Sequence, residues 1–470
     1  MDCSGGRRTC PTSRKPTGFL SATTIFCLNA GRSWAIVSGR PFGRNPYRIL
    51  RRLACYFCGF RISLPPDKPF LLKITTSFLA LATCFALACK PGGEKAAAHP
   101  PKPPRFGEPA RTFRPVALPY ADTNSARWQI VRNRLDSFYN VQTRAGFNGS
   151  VLIGYKGQVL YERYYGWADK SAAKPWSPTT PSQLASTSKT FTGAAVLYLK
   201  QQGYLDIDAP VSDYLPGFPY PGLTPRMLLN HRSGLPDYLH WVPNFRKTNA
   251  PMYNPELVQL FIKHRPALEF KPNTRFKYSN SNYAMLASII EAVTEMKYPE
   301  FMKKFIFNGV GLQNTYVYDP ATGLPPNATV SYKANWAAEP VTFSDGVYGD
   351  KGIYSTVRDM YRWDQSFYKQ TLVDTNTQQL AYAPCSFEKP GVKNYGLGWR
   401  MLCYEDGYKV IYHNGWWHGN NTCFYRFIQD NFTIIVLGNK YTGSIYRQPP
   451  VLYNIVQGNT SERKDFGGED

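Results

Sequence analysis

The stretch LASTSKTFTGAAVLYLKQQG, residues 184–203, decides how this chain folds and what chemistry it can carry. From Thr190 to Gln202 it is almost wholly apolar, with Phe191, Ala194, Ala195, Val196, Leu197, Tyr198 and Leu199 in close succession. A helix apolar on nearly every face is a buried helix, and Gly203 is its expected C-terminal stop. Ser186 falls at the start of that helix, where unbonded backbone N–H groups and the helix dipole favour negative charge. Lys189 follows three residues on, on the same face and one turn away. A hydroxyl is a poor nucleophile until a base takes its proton. A partly desolvated lysine can be that base, because burial disfavours its ammonium form.

Outward from this helix the periodicities change. Ala126 to Val141 carries Trp128, Ile130, Val131, Leu135, Phe138 and Tyr139 at three- and four-residue spacing, which predicts an amphipathic helix. Gly149 to Gly166 alternates through Val151 and Ile153, turns at Tyr155-Lys156-Gly157 and returns through Val159 and Tyr161, a β-hairpin. A helix-rich middle follows, and strands return at Tyr408–Tyr412, Thr422–Ile428 and Phe432–Leu437. Strands at both ends and helices between predict an α/β (α+β) fold. One antiparallel sheet is assembled from the two chain ends and flanked by helices, with a mostly helical region inserted.

Two further short motifs bear functional groups. Tyr278-Ser279-Asn280 precedes a predicted helix at Tyr283–Thr294; a tyrosine beside ammonium groups can relay protons, and Asn280 offers both a carbonyl and an amide. His413-Asn414-Gly415 ends the strand Tyr408–Tyr412 in this reading, and a glycine there lets a ligand approach the backbone closely.

The composition narrows the function classes. The 470 residues carry a formal charge of +23, but residues 1–88 hold thirteen Lys and Arg against only Asp2 and Asp67. The remainder is a moderately basic surface without the basic–aromatic interleaving or Cys/His spacing of a nucleic-acid binder, so no nucleic-acid partner is expected. Cys55 and Cys58 form a C-x-x-C that no second pair completes into a zinc site. None of the six histidines forms H-E-x-x-H or H-x-H. No metal or other cofactor is expected. Neither a G-x-S-x-G elbow nor a phosphate-binding G-x-x-x-x-G-K-[ST] occurs. Cys385, Cys403 and Cys423 allow one disulfide and one unbonded thiol, without a choice of pairing.

The N-terminal ninety residues read as an address. Ile74–Ala88 is apolar, uncharged, preceded by Lys73 and closed by small residues, the pattern of a secretory signal over residues 73–88. Fifteen residues fall short of the roughly 20 that a membrane-spanning helix needs. Phe85-Ala86-Leu87-Ala88-Cys89 resembles a bacterial lipobox, which would make Cys89 the lipid-bearing first residue of a cell-envelope protein, periplasmic or on the outer membrane. Residues 89–120, with Pro100-Pro101-Lys102-Pro103-Pro104, then read as an extended tether. Residues 1–72 show no periodicity and are expected to be a non-folded or over-extended segment, with initiation near Leu71 or Leu72. The folded domain is expected over 121–455, followed by a polar tail at 456–470.

The order S-x-x-K, Y-x-N and basic residue-x-Gly resembles the serine β-lactamase/penicillin-binding superfamily. The surrounding text is similar to its class C branch, which includes D-Ala-D-Ala carboxypeptidases and related esterases. The similarity runs through Asp206–Val211, Leu228–Pro236, Phe276–Asn280, Gly352–Thr356 and Tyr395–Trp399, covering about residues 125–440. It implies a β-lactamase/transpeptidase-like fold and a hydrolase with Ser186 acylated and Lys189 as its base. By the same resemblance Tyr278 is general base and activator of water, and Asn280, His413 and Gly415 hold the substrate. The backbone N–H groups of Ser186 and Trp416 would form the oxyanion hole. His231 and Ser233 lie in a matching stretch that is structural in such proteins. Efficient β-lactamases of this group carry Lys-Thr-Gly where this chain has His413-Asn414-Gly415, followed by Trp416-Trp417. The resemblance therefore implies an esterase or peptidase acting on a small ester, peptide or β-lactam-like substrate, rather than an antibiotic-destroying enzyme. The alternative from another class is a non-catalytic envelope binding or sensing protein on the same fold.

Overall fold

The computed structural model describes residues 106–107, 116–122 and 124–458. The non-folded segment 1–72, the signal, Cys89 and most of the tether expected from the sequence lie outside the described residues.

The main elements are α1 (Ala126–Arg144), β1 (Gly149–Tyr155), β2 (Gln158–Tyr165), α2 (Ser188–Gln201), α3 (Asn280–Thr294) and α4 (Val357–Tyr368). They are followed by β3 (Lys393–Tyr395), β4 (Arg400–Cys403), β5 (Lys409–Trp417), β6 (Asn420–Phe427), β7 (Phe432–Gly438) and α5 (Gln448–Gln457). The seven strands form one sheet in the order β2-β1-β7-β6-β5-β4-β3, with every neighbouring pair antiparallel. The two chain ends meet where β1 pairs with β7, Gly149 opposite Gly438 and Tyr155 opposite Phe432. This is the sheet expected from the sequence.

The sheet divides two cores. On one face α1 and α5 cover Val151, Ile153, Val410, Tyr425, Ile434 and Val436. On the other the helical region covers Leu152, Ile411, Phe424, Ile435 and Leu437. With both faces covered, β7 has no polar side to show, and all seven of its residues are buried. α1 buries Val131, Leu135 and Tyr139 but leaves Ile130 exposed, so only part of its predicted apolar stripe meets the sheet.

Several boundaries differ from the sequence reading: α3 begins at Asn280 instead of Tyr283, and α1 runs to Arg144 instead of Val141. β5 runs on to Trp417 instead of stopping at Tyr412, because Trp416 and Trp417 pair with Asn421 and Asn420 across a tight turn. His413-Asn414-Gly415 thus lies inside a strand. The last helix reaches Gln457, taking in the first residues of the expected tail. The end of the expected tether is not a free spacer: Phe106 packs edge-on to Phe305 at 4.9 Å, and Val116 is buried with its N–H on the Val310 carbonyl. Apolar side chains interrupt the polar, proline-rich composition at those points and find the core. None of Cys385, Cys403 and Cys423 is in a disulfide; the Cys423 thiol donates to the Ile445 carbonyl.

Candidate active site

Across residues 180–199 every residue is buried except Ser186, which is partly exposed. Ser186 sits in a 3-10 turn, Ala185–Thr187, that leads into α2. Ala185, just before it, holds a left-handed φ of 48°, a conformation that costs an alanine about 1–3 kcal/mol and persists only where its surroundings enforce it. They do so here through three hydroxyls. Thr187 Oγ1 meets Thr422 Oγ1 at 2.9 Å, Thr422 Oγ1 donates to the Leu184 carbonyl, and Ser188 Oγ accepts the Ile353 N–H. The turn is pinned to β5 and β6 on one side and to the Ile353–Ser355 strand on the other.

Lys189 is fully buried. Its ammonium donates to Ser186 Oγ at 3.2 Å, to Asn280 Oδ1 at 2.8 Å and to the Asp350 carbonyl at 2.8 Å. Burial pulls its pKa down to about 8, with help from Arg400, while Asp350 and Asp237 pull it back up. Asn280 is held by Asp237, whose Oδ2 accepts both its backbone N–H and its side-chain amide at 2.9 Å. Asp237 also caps the short helix Tyr238–Trp241, which is why it is held in place. No sequence pattern singled it out.

The Tyr278 ring lies 4.9 Å from Lys189 Nζ and 5.4 Å from the Arg400 guanidinium carbon. Burial pushes its phenol well above the usual range, although Arg400 and the Ser186 hydroxyl pull the other way. The phenol oxygen is buried without a hydrogen bond of good geometry, and such an orphan in a cleft marks a place for a ligand or water. Ser186, Tyr278, Asn280, Arg400, Asn414, Trp416, Trp417, His418, Leu239 and Glu339 line a cleft of about 490 Å³, a size suited to a small ligand. Gly415 lies flush against the nucleophile's turn, so that a Cβ there would come within 3.1 Å of the Ser186 nitrogen.

His413 differs from its expected role. It is fully buried, its ring 6.4 Å from that of Tyr278, and it does not line the cleft. Both its nitrogens are engaged: Nδ1–H donates to the Asn414 carbonyl at 2.7 Å, and Nε2 meets Tyr395 Oη at 3.2 Å. The same hydroxyl meets His231 Nε2 at 3.2 Å, and His231 Nδ1 accepts the Ser279 N–H. These bonds fix the tautomers: His231 gives a proton to Tyr395, and Tyr395 gives one to His413. His231 in turn packs its ring 4.3 Å from that of Tyr278. The cation on the cleft wall, among the described residues, is Arg400. It follows directly after the Y-G-L-G-W stretch, but only the pairing of Arg400 with Tyr412 brings it to the site.

Burial, then the nearby Lys189 and Arg400 and, for His231 alone, the charge of His413, hold His231 and His413 well below the usual imidazole range, whereas the bonds to Ser279 and Asn414 act the other way. Both are neutral in the fold, while in the unfolded chain they take up protons below about pH 6.5. The unfolded state then binds more protons, so stability is full above pH 6.5 and falls as the pH drops below it. Each histidine contributes about 1.4 kcal/mol per pH unit. Urea unfolding at pH 7 and pH 5.5 should differ by about 2 kcal/mol, and His413→Gln should halve that difference. An unchanged difference in the variant would refute the assignment.

A serine bonded to a buried lysine, at the start of a core helix beside an antiparallel sheet, is a serine-hydrolase arrangement. The chain belongs to the β-lactamase family, whose model matches residues 138–449. It is 31% identical over 318 residues to penicillin-binding protein 4* of Bacillus subtilis, covering 64% of this chain and 70% of that one. A D-aminopeptidase of Brucella canis is 26% identical over 314 residues, 63% of this chain and 57% of that protein. Among solved structures, a penicillin binding protein from Bacillus halodurans superposes with a TM-score of 0.60 at 21% identity, covering 68% of this chain and 97% of that one. A D-amino acid amidase from Ochrobactrum anthropi gives 0.56 at 21% identity, over 71% and 98%. At those identities the two structures speak for the fold.

Proposed function

We propose that this protein hydrolyses amide or ester bonds of short peptides or amino-acid derivatives through an acyl-enzyme on Ser186, and is not an efficient β-lactamase. The observation that carries this reading is the Lys189 ammonium on the hydroxyl of a solvent-reached Ser186 in a cleft that also holds the Tyr278 phenol. With its pKa near 8, Lys189 is neutral in about a tenth of molecules at pH 7. In that form it takes the Ser186 proton as Oγ bonds to the substrate carbonyl carbon. The raised phenol of Tyr278 is a proton donor rather than a resting base. It protonates the leaving amine or alkoxide as the scissile bond breaks, and is reprotonated from Lys189. Water then attacks the ester, giving its proton to the same pair and restoring Ser186. The backbone N–H groups of Ser186 and Trp416 would hold the oxyanion, and Asn280, fixed by Asp237, the substrate amide. Arg400 supplies the fixed cation for a substrate carboxylate that His413, buried and neutral, does not. Names of relatives that act on D-amino-acid bonds favour such substrates.

The test pairs a fluorophosphonate label with turnover of D-amino-acid amides, p-nitrophenyl esters and nitrocefin. Label on the Ser186 peptide, lost in Ser186→Ala, with amides or esters turned over faster than nitrocefin, is the expected result. Absence of label would leave the non-catalytic binding protein, and rapid nitrocefin turnover alone would make it a β-lactamase. Export and lipid anchoring at Cys89 are proposed from the sequence. Membrane fractionation of wild type and Cys89→Ser tests them, with release of the variant expected.

A further inference from the structure

The cleft around Ser186 carries opposite charges at its two ends. β5 sets the scale: Tyr412 pairs with Arg400, Gly415 lies against the Ser186 turn, and Trp417 ends the strand. From Tyr412 to Trp417 the strand covers about 17 Å. Arg400 marks one end. Beyond Trp417 two carboxylates mark the other. Asp345 is buried, and its Oδ1 takes the Trp417 indole N–H at 2.6 Å while both its oxygens lie 3.1 Å from His418 Nε2. Glu339 is carried to the same end by its loop: its N–H bonds to the Ser331 carbonyl, and Ser331 Oγ accepts the N–H of Gly419, next to His418. Glu339 lines the cleft. Among the described residues no ion pair or hydrogen bond engages its carboxylate. One nearby cation, Lys351, sits 4.8 Å over the Trp417 ring but is buried and paired with Asp350 at 3.2 Å. Trp416, 61% exposed, stands on the same wall.

A carboxylate without a bonded partner in the same cleft as the exposed Trp416 indole suits a primary ammonium, which bonds to the one and rests on the other. We infer that Glu339, with Trp416, forms a subsite for the amino group of a short peptide, so that substrates carry an ammonium on the side of the scissile bond away from Arg400. This deepens the proposed function and rests on its reading of the cleft. A cleft of about 490 Å³ that holds both Arg400 and Glu339 suits a short peptide, so the enzyme would prefer oligopeptides with free ends to long chains.

Binding to the full-length Ser186→Ala protein tests the subsite without requiring turnover. The probes are tri-D-alanine and its N-acetylated form, titrated by calorimetry. The free amine should bind about tenfold more tightly. Glu339→Gln should remove that preference while leaving the acetylated peptide unchanged, and Glu339→Lys should favour N-succinyl-tri-D-alanine. Equal affinity for free and acetylated peptides, an equal loss for both in Glu339→Gln, or no binding of either would overturn the inference. Failure of Ser186 labelling in the wild type is a separate result and bears on the hydrolytic reading alone.

Discussion

Lys189→Met is expected to lower kcat/KM on a p-nitrophenyl ester by about 10²–10⁴-fold, the range for loss of a positioned acid–base group. The side chain keeps its length and apolar stem but loses the amine that reaches Ser186 Oγ, Asn280 Oδ1 and the Asp350 carbonyl. The substitution leaves Asn280 Oδ1 and the Asp350 carbonyl without their donor, at about 1–3 kcal/mol for each orphaned acceptor, so the thermal midpoint should fall by several degrees while the protein stays folded. The pH profile adds a sharper reading. Burial brings Lys189 to about 8, against the pull of Asp350 and Asp237. The reactive form is the unprotonated amine, which is scarce below that value and complete above it. In the wild type kcat/KM should rise with unit slope up to about pH 8 and then level off. In Lys189→Met the rising limb should vanish. An unchanged limb in the variant would assign it to another group and take the base role away from Lys189.

Gly415→Ala is expected to cost about 10²-fold in kcat/KM while leaving the protein folded. A Cβ at this position would sit 2.2 Å from the Leu184 carbonyl oxygen, 2.3 Å from Thr422 Oγ1 and 3.1 Å from the Ser186 nitrogen. The first contact is with backbone, so either β5 or the Ser186 turn must move, by on the order of 1 Å. A shift of that size at reacting groups is worth about a hundredfold, and the overpacking itself costs about 1–3 kcal/mol. Loss of activity should be accompanied by slower fluorophosphonate labelling of Ser186, because the oxyanion donors on the two segments part. Wild-type labelling in Gly415→Ala would show that the contact between strand and turn has no catalytic meaning.

Much of this was legible in the chain itself. The almost wholly apolar run after Lys189 required a buried helix, and the alternation at Gly149–Gly166 required a hairpin. Spacing within one helix turn placed an amine beside a hydroxyl. These are local facts, set by 3.6- and two-residue periods. The boundary of β5 was missed because Trp416 and Trp417 read equally well as loop or strand until Asn420 and Asn421 pair with them. His413 was read as a substrate group because its neighbours in sequence carry that pattern. Its hydrogen bond to Tyr395, 18 residues away, is not visible in any window.

The sequence by itself determined the two-ended sheet, the core helix and the Ser186–Lys189 pair, because each depends on residues within a turn or a strand of one another. Tertiary structure alone decided the charges around them. Arg400 enters through strand pairing, Asp237 through a helix cap that also grips Asn280, and Asp345 and Glu339 through loops folded against the end of β5. Local spacing fixes which side chains share a face, whereas the field at a buried site is the sum over whatever distant segments the fold packs beside it.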